Sequence, residues 1–198
     1  QSDGFGASWI MPNGKLATLK SSKPLISDTV APSFVKGFYQ LDGKLESNGG
    51  ALLIHGRTAT CGINLINTHP IVSGNSALIH NGIVESTTYK NIKTSCDSEL
   101  IINAWKDGIK NNRSLNNVAN YISGYYAFGI LSVTKQGEVL DVVRDNKASL
   151  YCGKIDNLDG YAFGTTKETL ATCRATVLGE FLENTHVQFI NGAQVSQN

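Results

Sequence analysis

Apolar and alternating runs divide the chain into short strands around one strongly amphipathic helix. After Asp97, apolar residues recur at helical spacing, which predicts a helix that buries one face: Leu100, Ile101, Ala104, Trp105 and Ile109. The apolar run 77–79 is typical of a buried strand. Alternating or apolar runs predict further strands at 7–11, 15–20, 51–60, 125–134, 138–144, 150–154, 161–164 and 186–190. Weaker helical patterns occupy 32–41, 114–122 and 166–174.

The order of these elements predicts a mixed α+β fold. Strands come first, two helices lie in the middle, and strands with one short helix follow. The Asn13-Gly14 turn between the first two strands is typical of an antiparallel hairpin. We therefore expect long antiparallel strands with helices outside them. No repeat or low-complexity linker interrupts the chain, so we expect one domain over residues 1–198.

Charge and cysteine content narrow the possible functions. The 17 basic residues nearly cancel the 16 acidic ones, which gives no electrostatic reason to expect nucleic acid or an anionic membrane as a partner. No apolar run approaches the roughly 20 residues of a membrane helix. The cysteines lie at 61, 96, 152 and 173 without a C-x-x-C pair. We therefore predict no metal site, no cofactor, and reduced thiols in a cytoplasmic protein.

The segment 52–99 holds the most suggestive chemistry. His80-Asn81-Gly82 directly follows the apolar run 77–79, so it lies at the end of a predicted strand. Arg57 supplies a guanidinium upstream and Asp97 a carboxylate downstream. The Asn81 side-chain amide stands next to the Gly82 N–H. Together these groups are suited to hold a zwitterionic amino acid and an oxyanion.

Four motifs in this order resemble the class II glutamine amidotransferases of the N-terminal-nucleophile hydrolase superfamily. They are His55-Gly56-Arg57-Thr58-Ala59-Thr60-Cys61-Gly62, Asn67-Thr68-His69-Pro70, His80-Asn81-Gly82 and Asp97-Ser98-Glu99. The glycine loop 3–6, the strand 125–130 and the Arg-Asp turn 144–145 are similar to family features as well. The resemblance runs from residue 1 to about residue 175. It implies a four-layer αββα sandwich, with two antiparallel sheets face to face between helices.

The resemblance also implies a role for each site residue. Arg57 matches the arginine that binds the glutamine α-carboxylate, as its planar fork allows. Asp97 matches the aspartate that accepts the α-ammonium group, and Thr60 and Cys61 match residues that line the glutamine pocket. Asn81 and Gly82 match the oxyanion hole, where losing one donor typically costs about 10²–10³ in rate.

The family nucleophile has no counterpart in this sequence. It is a cysteine at the mature N-terminus whose own α-amino group is the base, and it opens a strand before the glycine loop. Cys61 lies within a predicted strand, and the other three cysteines follow the motifs. We therefore expect an N-terminally incomplete domain that is inactive alone. We also expect a gap or an exposed edge in one sheet, which another chain can fill.

Three functions stay open. In the first, the chain is most of a glutaminase domain whose cysteine lies upstream, so that glutamine is hydrolysed to glutamate and ammonia. In the second, it is a structural or ligand-binding module on the same scaffold. In the third, it hydrolyses another γ-glutamyl amide. The expected partners are glutamine or a γ-glutamyl compound, together with a chain or domain that binds the ammonia acceptor or supplies the missing strand.

Individual residues have plainer explanations too. Arg57 could form a structural ion pair with Asp97, Asp97 could cap the helix that follows it, and Asn81-Gly82 could be a turn. The histidines at 55, 69 and 80 are expected to be structural, because the family base is the α-amine. Cys61 remains an alternative nucleophile, and the other cysteines are expected to be inert.

Overall fold

The computed structural model describes residues 3–23, 50–58, 62–87, 92, 94–111, 122–155 and 160–197. Within them the strands are β1 Phe5–Ile10, β2 Leu16–Ser21, β3 Leu52–Gly56, β4 Ile71–Ser73, β5 Ser76–Thr87, β6 Ile122–Thr134, β7 Gly137–Arg144, β8 Tyr151–Ile155, β9 Gly160–Gly164, β10 Ala175–Glu180, β11 Thr185–Ile190 and β12 Ala193–Gln197. The helices are α1 Ser98–Lys110 and α2 Lys167–Thr172.

The strands form three antiparallel sheets. The largest has six strands in the order β12-β11-β7-β6-β5-β4, and its longest pairing joins β5 to β6. The other two have three strands each, in the orders β2-β1-β3 and β10-β8-β9. Most neighbouring strands follow each other in the chain, as expected where tight turns join antiparallel strands.

Helix α1 covers one face of the six-stranded sheet. Glu99 in its first turn and Lys110 in its last complement the helix dipole. Its buried stripe carries Ile101, Ile102 and Trp105, which pack in one cluster with alternate sheet residues such as Phe128. The Trp105 and Phe128 rings meet edge to face at 6.2 Å. The helix predicted from the spacing after Asp97 is therefore confirmed.

Both small sheets lie on the opposite face of the six-stranded sheet. Successive residues of a strand point to opposite faces, so Ala127 and Leu131 face away from the helix that Phe128 contacts. Leu53 of β3 packs in one cluster with Leu131, and Ala127 belongs to the cluster beneath the β10-β8-β9 sheet. Leu140 packs against both clusters. The two small sheets therefore lie side by side as a second layer.

Helix α2 supplies the fourth layer. Its buried Leu170 lies 3.4 Å from the positions that a Cβ would take at Gly153 and at Gly164. These glycines follow Cys152 and Phe163, which point inward, so α2 covers the outer face of the β10-β8-β9 sheet. Thr166 caps α2, accepting a hydrogen bond from the Thr169 N–H. The predicted α+β fold with antiparallel sheets between helices is confirmed.

Several predicted boundaries were wrong. Residue Ile122 begins β6 and does not end a helix. The strand predicted over 51–60 spans Leu52–Gly56, and the helix predicted over 166–174 spans Lys167–Thr172. The sequence patterns did not predict three of the strands, β4, β10 and β12. The helix predicted at 32–41 and the start of the one at 114–122 lie outside the described residues. Neither described helix is long and apolar enough to span a membrane.

Candidate functional site

The Asn81-Gly82 pair lies in β5, opposite Tyr126 and Ala127 of β6. Gly82 has a φ of 139°, and a Cβ there would lie 2.0 Å from the carbonyl oxygen of Tyr125. Only glycine fits this backbone without displacing β6. Asn81 pairs with Ala127, and its side chain is exposed. The exposed Asn81 therefore lies in the middle of β5, whereas the sequence predicted it at the end of a strand.

The Asp97 carboxylate connects the start of α1 to β5. Its Oδ2 accepts a hydrogen bond from the Val84 N–H at 2.7 Å, and its Oδ1 lies 3.8 Å from the Cys96 thiol. The alternative role of Asp97 as a helix cap is therefore not what the side chain does, because the carboxylate reaches the strand instead. The carboxylate thus reaches β5 two residues beyond Gly82.

Ser98 makes a second connection between the same elements. Its hydroxyl oxygen lies 2.9 Å from His80 Nδ1 and 2.9 Å from His69 Nε2, and the side chain is 1% exposed. A hydroxyl carries one hydrogen, so with neutral rings it donates to one imidazole and accepts from the other. Ser98 thus joins α1 both to β5 and to the loop 67–70.

Three imidazoles cluster beside the candidate site. His55 Nε2 donates a hydrogen bond to the His80 carbonyl at 3.1 Å, and the His55 and His69 rings lie 4.5 Å apart. Burial lowers the pKa of His55 to about 4 and that of His80 to about 4, the latter against the opposing charges of Asp97 and Asp145. Burial also holds the pKa of His69 well below its usual value. The histidines are therefore neutral at pH 7.

Arg57 follows β3 and is 3% exposed. Its terminal nitrogens Nη1 and Nη2 donate to the Gly62 carbonyl at 3.4 and 3.3 Å. The Asn67 side-chain amide donates to the same carbonyl at 3.0 Å and to Ser95 Oγ at 2.8 Å. A continuous network therefore runs from Arg57 to the residues directly before Asp97.

The glycine loop also reaches this network. The Arg57 N–H donates to the Gly4 carbonyl at 2.9 Å. Gly4 has a φ of 122°, and a Cβ there would lie 2.6 Å from the Ser21 carbonyl oxygen. Thr60 and Cys61, which the resemblance assigns to the pocket lining, lie outside the described residues. The segments that bear Arg57, Asn81, Gly82 and Asp97 are thus linked, and the binding roles of these residues stay predictions.

Sequence reasoning missed two residues that support this region. Ser98 stood within the Asp97-Ser98-Glu99 motif but received no role of its own. Lys20 Nζ donates to the Thr68 carbonyl at 3.0 Å and contacts the Pro70 carbonyl at 3.4 Å, and burial lowers its pKa. The motif could have indicated Ser98, whereas a lysine in an alternating strand carries no such signal. No described residues form a cluster suited to a metal ion.

The chain shares its fold with solved glutamine amidotransferases. One is the glutamine phosphoribosylpyrophosphate amidotransferase of B. subtilis complexed with ADP and GMP, at 21% identity and a TM-score of 0.70. Another, described as the allosteric regulatory enzyme of purine biosynthesis, has 21% identity and a TM-score of 0.73. Each match covers 100% of this chain and 43% of the other chain.

A third structure is close to this chain in length. It is a glutamine aminotransferase class-II domain protein from Silicibacter pomeroyi, at 16% identity and a TM-score of 0.56, and the match covers 99% of this chain and 90% of that one. No protein-family model and no curated protein sequence matches. The chain therefore has the fold of the class II glutamine amidotransferases, the N-terminal-nucleophile hydrolase fold, and the fold implied by its four motifs is confirmed.

Proposed function

We propose that this chain is a glutamine amidotransferase-type domain. It binds the amino-acid end of glutamine and, with a cysteine nucleophile supplied by an upstream segment, hydrolyses the side-chain amide to glutamate and ammonia. The main support is the hydrogen-bonded network that joins the segments bearing Arg57, Asn81 and Asp97. Such a network fixes the segments that bear these groups relative to one another.

Arg57 and Asp97 have the charges that an α-amino acid needs. The Gly62 carbonyl now accepts from both terminal nitrogens of Arg57 at 3.3–3.4 Å, which is long for a hydrogen bond. A carboxylate competes well with that carbonyl, because charge-assisted hydrogen bonds are about twice as strong as neutral ones. Among the described residues, the Asp97 Oδ1 has only the weak contact with the Cys96 thiol at 3.8 Å. It therefore keeps acceptor capacity for an ammonium group.

The proposed chemistry is acyl transfer through a thioester. The cysteine thiolate attacks the side-chain carbonyl carbon of glutamine, and the oxyanion accepts hydrogen bonds from the Asn81 amide and the Gly82 N–H. The C–N bond then breaks and the amide nitrogen leaves as ammonia, taking the proton that the α-amino base received from the thiol. Water next attacks the γ-glutamyl thioester, which releases glutamate and restores the thiol.

The cysteines in the described part of the chain support an external nucleophile. Cys96 is 3% exposed and packs in the core cluster between α1 and the six-stranded sheet. Burial raises the pKa of Cys152. Cys173 is an exposed residue at the end of α2, on the outer layer of the sandwich. A buried thiol, a thiol with a raised pKa and a thiol on the outer layer are each unlike the accessible nucleophile expected beside Asn81.

Two surfaces support a further segment or chain at this site. Among the described strands, β3 pairs only with β1, so no other described strand occupies its second edge, where an additional strand could pair. The loop after Gly62 exposes three aliphatic side chains, with Ile63 61%, Leu65 50% and Ile66 62% exposed. An exposed apolar loop beside a binding site suits contact with another domain. We propose that the domain carrying the ammonia acceptor covers this loop.

Ligand titration and ammonia release test the proposal together. The chain should bind L-glutamine or L-glutamate weakly, and Arg57→Ala should weaken binding about 10- to 100-fold, the value of a charge-assisted hydrogen bond. Arg174→Ala, at an exposed arginine on the outer layer, should leave binding unchanged. Residues 1–198 alone should release no ammonia, whereas a longer form that carries the upstream cysteine should release it and lose this activity with Arg57→Ala.

The outcomes separate the three functions. Robust turnover by residues 1–198 would show that the nucleophile is assigned wrongly and would make Cys61 the first candidate. A cysteine-bearing form that is inactive on glutamine and on γ-glutamyl amides, but still binds them, would establish a ligand-binding module. Activity on other γ-glutamyl amides but not on glutamine would establish the third function.

A further inference from the structure

The two connections between α1 and β5 bracket the Asn81-Gly82 pair. Ser98 binds His80, the residue before Asn81, and Asp97 binds the N–H of Val84, two residues after Gly82. The two anchoring residues are neighbours at the start of one helix. A strand segment held at both ends in this way cannot slide along the helix without breaking a hydrogen bond.

The two connections differ in their remaining capacity to form hydrogen bonds. The Asp97 carboxylate holds Val84 through Oδ2 alone, so it can accept another donor at Oδ1. Ser98 uses its single donor hydrogen and one acceptor position, because it donates to one imidazole and accepts from the other. With 1% exposure, it has no contact with solvent that could replace a lost partner. We call these two connections, Ser98 with His80 and Asp97 with Val84, the clamp. Within the clamp Ser98 makes only structural contacts, whereas Asp97 can also bind a ligand.

We propose that Ser98 is a positioning residue for this site. Its hydroxyl holds the strand that carries Asn81 and Gly82 in place relative to the Asp97 carboxylate. The Asn81 amide and the Gly82 N–H then lie at a fixed distance from the Asp97 carboxylate, which would bind the ammonium group of an amino acid. The benefit to binding rests on the proposed function above, whereas the clamp itself is a property of the unliganded chain.

Amide hydrogen exchange measures the clamp directly. The Val84 N–H is bonded to Asp97 and reports local opening of the strand, while Ile130, buried in the middle of β6, reports global stability. Ser98→Ala should raise the exchange rate of Val84 relative to that of Ile130 by about 10-fold, since it leaves two buried imidazoles without their partner. Ser98→Thr keeps the hydroxyl and should restore the ratio to within about 3-fold.

Ser132→Ala is the matched control. Ser132 is 3% exposed and its hydroxyl bonds that of Ser76 at 2.8 Å, so its loss also removes a buried hydroxyl pair. It lies six residues beyond Tyr126, the partner of Gly82, which is about 20 Å along β6. The variant should leave the Val84 to Ile130 ratio unchanged. If Ser98→Ala fails to fold, His80→Gln breaks the same connection and should raise the ratio.

Ligand binding separates this proposal from the proposed function. Titration with L-glutamate should give binding about 10-fold weaker in Ser98→Ala and close to wild type in Ser132→Ala. If the wild type binds neither L-glutamate nor L-glutamine, the proposed function fails, and the exchange ratio alone decides the role of Ser98. The proposal is overturned if Ser98→Ala accelerates Val84 and Ile130 equally, or if it binds L-glutamate as tightly as the wild type.

Discussion

Mild acid should destabilise the folded chain through the three histidines beside the candidate site. Burial lowers the pKa of His55 and of His80 to about 4, and holds that of His69 well below 6.5. These rings stay neutral in the folded chain, whereas in the unfolded chain they bind protons below pH 6.5. The free energy of unfolding therefore has its maximum contribution from these histidines above pH 6.5, and it falls as the pH drops from 6.5 towards 4.

The expected loss is large compared with the stability of a domain. One pKa unit of difference between the folded and unfolded states is worth about 1.4 kcal/mol, so His55 and His80, each with a pKa of about 4, contribute about 1 kcal/mol each between pH 7 and pH 5.5. Together these two histidines lower the free energy of unfolding by about 2 kcal/mol, and His69 acts in the same direction. A typical domain has about 5–15 kcal/mol in total. The chain should therefore lose a substantial fraction of its stability while still above pH 5.

Urea unfolding at pH 7.0, 6.2 and 5.5, followed by tryptophan fluorescence, measures this loss. His69→Gln removes one titrating ring and should reduce the difference in the free energy of unfolding between pH 7.0 and pH 5.5. Ser132→Ala removes a buried group that does not titrate and should keep the wild-type difference. A free energy of unfolding that changes by less than about 1 kcal/mol over this range would refute the reasoning, as would an unchanged difference in His69→Gln.

Three substitutions test the packing around the site. Gly82→Ala should cost at least about 1–3 kcal/mol, since its Cβ would lie 2.0 Å from the Tyr125 oxygen, and should lower the melting temperature more than Gly192→Ala, which has a φ of 82° but open space around it; equal melting temperatures would contradict this. Trp105→Ala, at 1% exposure, should cost about 3–5 kcal/mol in urea unfolding, and a loss below 1 kcal/mol would argue against its place in the core. Lys20→Met should cost about 1–2 kcal/mol in the same assay through its lost hydrogen bonds, and no loss would show that these bonds are replaced by water.

Periodicity predicted the elements whose burial is one-sided. Helix α1 has a continuous apolar stripe against the sheet, so its spacing carried the information. Strand β12 is exposed over Ala193–Val195, and β10 alternates without large buried residues and contains the Val177/Gly179 bulge. Such edge strands form because a neighbouring strand offers hydrogen bonds, and pairing of this kind leaves little trace in one segment's own sequence.

The candidate site could be predicted only as a set of residue types. The motifs indicated Arg57, Asn81 and Asp97 because a guanidinium, an amide and a carboxylate suit an amino acid. They did not indicate that Asp97 would bind Val84 or that Ser98 would join two histidines, because these contacts depend on how α1 lies across β5. Long-range hydrogen bonds of this kind arise from tertiary packing, which no local pattern encodes.

The arrangement of the sheets has a consequence for the order in which the site forms. Strands β4 to β7 pair with their sequence neighbours, so this meander can form early at a low cost in loop closure. Arg57 comes from the other layer, which reaches the meander through contacts such as Leu53 with Leu131. The proposed amino-acid site therefore forms only after the two layers dock. A partly folded chain could hold an intact meander and still have no affinity for a ligand, so ligand binding reports completed folding better than secondary structure does.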